Sequence, residues 1–126
     1  MKHLLIVALG GGAGAACRHL VSMAYFKLLG PSFPWGTLTV NILGSAIMGA
    51  FIEILLHRLG SSTELRLLIA TGFLGGFTTF SSFSLDVIVL WERGEPVIAF
   101  VYVLASVTLS ISALFGALFL TRQVFA

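Results

Sequence analysis

Residues 72–84, Gly-Phe-Leu-Gly-Gly-Phe-Thr-Thr-Phe-Ser-Ser-Phe-Ser, gather the groups of this chain best suited to handling an ion. They lie in the middle of an apolar stretch, where Gly75 and Gly76 followed by Thr78 and Thr79 predict that a helix breaks. Non-helical backbone at membrane depth persists only where protein or a water-lined cavity satisfies its N–H and C=O groups, and transporters use such breaks as ion sites. Carbonyls freed between Gly75 and Thr78 would offer oxygens to a cation, and the N-terminus of the following half-helix would favour an anion. The competing use of a glycine pair is close helix packing. Beyond the break, Phe80 and Phe83 are three residues apart and share a helix face. A phenyl ring carries positive charge at its edge, so two edges could replace water around a small anion without binding it tightly. An isolated pair of this kind is usually core or lipid contact; Thr78, Thr79, Ser81, Ser82 and Ser84 around it give it a different setting.

Two further stripes carry polar groups through apolar sequence. Asn41, Ser45 and Gly49 recur every four residues, with Gly44 beside them. An intramembrane amide serves either as an interhelical hydrogen bond or as an N–H donor to an anion, and the stripe alone fits both. Tyr102, Ser106 and Ser110 repeat at the same interval and predict a hydroxyl track. Among the ionisable residues, Arg18 lies deepest, inside the first apolar stretch, where it either draws anions to a pore mouth or ties helices together. Glu53 and Asp86 lie close enough to stretch ends for snorkelling to explain them. His3, His19 and His57 are scattered, Cys17 has no partner at metal-ligand spacing, and no nucleophile triad, P-loop or dinucleotide motif is present, so an enzyme is not expected.

The elements that must position these groups follow from composition. The 126 residues are 58% hydrophobic and only 10% charged, with a mean hydropathy of +1.07; a soluble domain carries about 25% charged residues. A membrane-spanning helix needs about 20 apolar residues, and residues 4–26, 35–56, 65–91 and 97–121 qualify. Lys2 and His3 precede an apolar run ending in Ala13-Gly14-Ala15, which resembles a leader cleavage site, but small residues in a span already have a packing explanation. The expectation is therefore a single transmembrane domain over residues 1–126, all-α, with four spans and the third broken near its middle. Loops fall at the breakers in residues 30–34, 60–64 and 92–96. Lys2, Arg58, Arg66 and Arg122 flank one side and Lys27 and Arg93 the other, with Arg18 leaning toward the latter. So weak a bias allows insertion in both orientations. It makes an antiparallel, dual-topology homodimer a live architecture, although proteins of fixed topology also carry small imbalances, and the small interior that four helices leave for a hydrated path points to two or more chains. The net charge of +2, without a basic cluster, excludes nucleic acid as a partner.

The chain resembles the small bacterial fluoride channels of the Fluc, or CrcB, family. The resemblance runs over nearly the whole length and is carried by residues 11–18, Gly-Gly-Ala-Gly-Ala-Ala-Cys-Arg, residues 35–41, Trp-Gly-Thr-Leu-Thr-Val-Asn, and residues 72–84. It implies an antiparallel homodimer in the bacterial cytoplasmic (inner) membrane, with two fluoride paths and a structural Na+ at the dimer interface. It further implies that Phe80 and Phe83 present ring edges to fluoride, that the Asn41 amide stands at one end of the path, and that Ser110, with Tyr102 and Ser106, forms a polar track. Gly75 and Thr78 match the positions whose backbone carbonyls hold sodium, and Arg18 matches an arginine near the vestibule. Phe77 sits where other members carry leucine and is not assigned to the pore. The activity implied is passive fluoride export conferring fluoride resistance.

Two other classes compete. A proton-coupled exporter of the small multidrug-resistance type has four spans and a similar length, but its mechanism wants an acid in the middle of the first span, where this chain has Arg18. A non-conducting scaffold would need only the glycine-rich helices, and substitution of Asn41 or Phe80 would then alter no ion flux.

Overall fold

The computed structural model describes residues 1–125, and among them four helical segments are long and apolar enough to cross a membrane. The first is α1, Lys2–Leu29, and the second α2, Trp35–His57. The third, Thr63–Glu92, is composite. It comprises a short α3, Thr63–Leu65, a π-helical stretch Arg66–Leu74, a short α4, Gly75–Phe77, and α5, Phe80–Glu92. The fourth is α6, Pro96–Phe125. Each helix runs past the apolar stretch that marks it, because a helix stops where backbone bonding stops and not where hydropathy falls. Gly30, Gly60 and Gly94, all with positive φ, mark the three stops. At 28 residues, α1 is about 42 Å long, more than the roughly 30 Å hydrocarbon core needs.

Packing is closest where side chains are absent. The buried residues of α1 are Gly10 and Gly14, four apart, and they meet the third span at Gly72, Phe73 and Phe77. A Cβ at Gly14 would strike the Phe73 carbonyl, and one at Gly76 would strike the backbone of Gly11. The crossing of α1 and the third span is therefore backbone against backbone, the small-xxx-small geometry of membrane helices. Gly49 does the same for α2 against Leu114 of α6. Between α5 and α6 the contact changes character. Phe83, Leu90, Ala99 and Tyr102 form a buried cluster with Phe33, Leu38, Val87 and Val103 packed on it.

Two residues between α4 and α5 leave helical geometry. Thr78 has φ −83° and ψ 157°, and Thr79 has φ −154° and ψ 117°. Their threonine chemistry closes one helix and opens the next. The Thr78 N–H and Oγ1 both donate to the Leu74 carbonyl, at 3.0 and 2.9 Å. The Thr79 Oγ1 accepts from the Ser82 N–H at 3.1 Å, an N-cap for α5.

Candidate functional site

The extended pair at Thr78 and Thr79 lacks helical partners, and α2 supplies substitutes. The Asn41 carboxamide binds Thr79 on both sides: its Nδ2 donates to the Thr79 carbonyl at 3.1 Å and its Oδ1 accepts from the Thr79 N–H at 2.7 Å. From α1, the Arg18 Nε donates to the Gly76 carbonyl at 3.0 Å. Below them Gly44 leaves room for the Thr78 methyl and the Phe77 ring, which a Cβ there would meet. Among the described residues no turn, loop or side-chain bond reaches the carbonyls of Gly75, Phe77 or Thr78.

Beside this junction runs a groove of about 450 Å³ between α2, α5 and α6. Asn41 and Ser45, Phe80 and Phe83, and Ser106 and Ser110 line it, together with Thr78 and Thr79. The Oγ atoms of Ser106 and Ser110 are buried and have no hydrogen-bond partner. The Phe80 and Phe83 rings lie 5.5 Å apart at 52°. Phe83 is 8% exposed, whereas Phe80 is 76% exposed. The groove is thus a half-open trough whose phenyl wall stands free on one side.

Of the residues singled out from sequence, Asn41, Phe80, Phe83, Ser106 and Ser110 come together on this groove. Thr78 touches it, and Gly75 lies one turn earlier in α4. Tyr102 lies elsewhere: it is fully buried behind Phe83, ring centroids 5.3 Å apart, and its hydroxyl donates to Asp86 Oδ2 at 2.9 Å. Phe33 meets the other side of the Tyr102 ring edge-on at 85°. Arg18 is not on the groove; its Nε donates to the Gly76 carbonyl. Phe77 is buried and stacks with Phe73.

Two arrangements escaped the sequence. Thr79 sits among the polar neighbours of Phe80 there, yet it is the residue that Asn41 grips. Its signal is weak, a threonine three residues before Ser82 at a helix start. Glu53 does not snorkel: it is 1% exposed and held by Arg122 Nε and Nη2 at 3.2 Å each and by His57 Nε2 at 2.8 Å. The Glu53–His57 spacing of four was legible, whereas Arg122 lies 69 residues away.

Comparison with known proteins places the chain. A family model described as CrcB-like protein, Camphor Resistance (CrcB), matches residues 5–118. Proteins named fluoride-specific ion channel FluC are similar over nearly the whole length. One from Mesorhizobium japonicum is 56% identical over 98% of this chain and 98% of its own. One from Chelativorans sp. is 56% identical over 98% and 99%, and one from Agrobacterium fabrum 50% identical over 99% and 100%. A family match of that extent and identities of that size along complete partners agree, and this chain belongs to the CrcB family.

Proposed function

We propose that this protein is a fluoride-selective ion channel of the bacterial cytoplasmic membrane that lets fluoride leave the cell passively, with no nucleotide and no catalytic step. The groove carries the proposal: it holds two buried hydroxyls, Ser106 and Ser110, with no partner in the protein. An unpaired buried donor costs about 1–3 kcal/mol, so these hydroxyls await a hydrogen-bond acceptor. Fluoride, small and strongly hydrated, needs donors in place of the water it sheds. Asn41 keeps a second Nδ2 hydrogen after binding Thr79. The phenyl edges of Phe80 and Phe83 add a weak positive field. Weak ligands suit conduction, because an ion must leave as easily as it enters.

The functional unit we propose is an antiparallel homodimer with two such paths. The 76% exposed Phe80 ring supports it, since a second chain would enclose the open side of the trough. So does the weakness of the bias among cationic residues, which allows insertion in both orientations. The third helix is then read as two half-helices, broken at Thr78–Thr79 as the sequence predicts, with its N-terminal α5 end near the anion path.

A structural Na+ at the dimer interface belongs to the same proposal. The carbonyls of Gly75 and Thr78 fit it, because they are hard oxygen donors beside the break that no turn, loop or side-chain bond engages. The cation would supply positive charge that binds the two breaks together. Fluoride-loaded liposomes carrying the purified protein test the function. Release of fluoride on an electrode, with chloride retained in a matched control, is the expected result; equal release of both or of neither overturns it.

A further inference from the structure

Four hydrogen bonds around the break engage three of its carbonyls. Leu74 O receives Thr78 N–H and Oγ1, Gly76 O receives Arg18 Nε, and Thr79 O receives Asn41 Nδ2. None of these bonds reaches the carbonyls of Gly75, Phe77 or Thr78, and the first and last of these are the two that the sodium reading requires. We infer that Arg18 and Asn41 are positioning residues for that cation site, acting through the peptide units they hold and not by touching the ion. The inference rests on the sodium site proposed above.

The geometry makes the connection direct for Asn41. The Thr78 carbonyl and the Thr79 N–H belong to one peptide unit, and no peptide in the chain is cis. In a planar trans unit the C=O and N–H point in opposite directions. Asn41 Oδ1 takes the Thr79 N–H at 2.7 Å, so the Thr78 carbonyl points away from Asn41. One amide thereby does two things: it pairs the Thr79 N–H and aims the Thr78 carbonyl to the side opposite itself. Arg18 acts on the preceding stretch. By holding the Gly76 carbonyl it removes a competing oxygen next to Gly75 and fixes the peptide unit that follows. Groups that orient metal ligands in this way typically alter metal affinity by about 10–100-fold when removed.

The test is sodium-dependent stability of the purified full-length protein, measured by thermal unfolding while NaCl replaces KCl at constant ionic strength. Wild type should melt higher in sodium. Arg18→Lys and Arg18→Met should each raise the sodium concentration for half the effect by about tenfold, and narrow the gap between sodium and potassium. Lysine keeps the charge but not the fixed guanidinium, and methionine removes both. Should Arg18 act by charge alone, Arg18→Lys would match wild type and Arg18→Met would bind sodium more tightly, and the inference would be overturned. Arg93→Lys, a change at the exposed Pro31 and Ser32 carbonyls, should leave the sodium response as it is. Asn41→Leu is read the same way, so misfolding of one variant leaves the other. A wild type that melts identically in both salts overturns the sodium site itself. A wild type that responds while the Arg18 and Asn41 variants respond equally overturns only the positioning role.

Discussion

The Glu53 clasp and the junction at Thr78–Thr79 are both polar clusters set into apolar helices, and they differ in what is left unpaired. At the clasp, Oε1 faces Arg122 Nε and His57 Nε2, and Oε2 faces Arg122 Nη2. Every carboxylate oxygen has a donor, and the result ties the end of α2 to the last turn of α6. At the junction Asn41 and Arg18 satisfy some groups, while no turn, loop or side-chain bond reaches the Gly75 and Thr78 carbonyls and the Ser106 and Ser110 hydroxyls stay without partners. A closed cluster holds helices together. An open one persists only if something outside the chain completes it, since each unpaired buried group opposes folding. That contrast separates the structural cluster from the proposed ion site without any reference to motifs.

The contrast breaks most visibly at Asn41, which belongs to the closed part of the open cluster. Asn41→Leu keeps the volume and strands the Thr79 N–H and C=O. At about 1–3 kcal/mol for each group, the variant should lose about 2–6 kcal/mol, read as a lower unfolding temperature and a smaller yield of folded protein. Retention of wild-type stability would mean that water pairs with Thr79 as well as the amide does. Next in size is Glu53→Gln, which leaves Arg122 without its carboxylate. Stability should fall, while the ratio of fluoride to chloride flux in liposomes stays that of wild type. A changed ratio would show that the clasp also shapes the path.

Why one cluster was legible and the other was not follows from chain distance. Four spans are visible because a bilayer demands long apolar runs. Phe80 and Phe83 lie within one turn, and Asn41 and Ser45 lie one turn apart, so local spacing finds them. Nothing local links Glu53 to Arg122 or Asn41 to Thr79, 38 residues apart. Tyr102 shows a different limit. A repeat of four on a helix of 3.6 residues per turn rotates by about 40° at each step. From Ser110 back to Tyr102 the track therefore turns from the groove toward α5, where the tyrosine binds Asp86 behind Phe83. The resemblance to the family supplied the remaining assignments, including the carbonyls of Gly75 and Thr78, which no residue pattern in one chain specifies.

The phenyl wall sharpens the comparison at the next scale. Phe80→Ile and Phe83→Ile keep apolar bulk and remove the quadrupole. If ring edges contribute about 0.5–1.5 kcal/mol, fluoride flux should fall by about two- to tenfold in each, with the protein still folded. Unchanged flux in both variants would reduce the rings to packing. Phe80 is the cleaner probe, because it is mostly exposed in a single chain, whereas Phe83 also supports Tyr102.

The smallest effect belongs to Ser110, and it asks the sharpest question about unpaired groups. Its hydroxyl is buried on the groove and makes no bond within the protein. Ser110→Ala removes the unsatisfied donor without creating a new one, so the folded protein should be as stable as wild type or slightly more so. Fluoride flux should drop by about fivefold, the equivalent of one hydrogen bond of roughly 1 kcal/mol. Stability and flux would then move in opposite directions, which a residue that only packs cannot produce. Parallel loss of both would assign Ser110 to the closed kind of cluster, alongside Glu53, and take it off the proposed path.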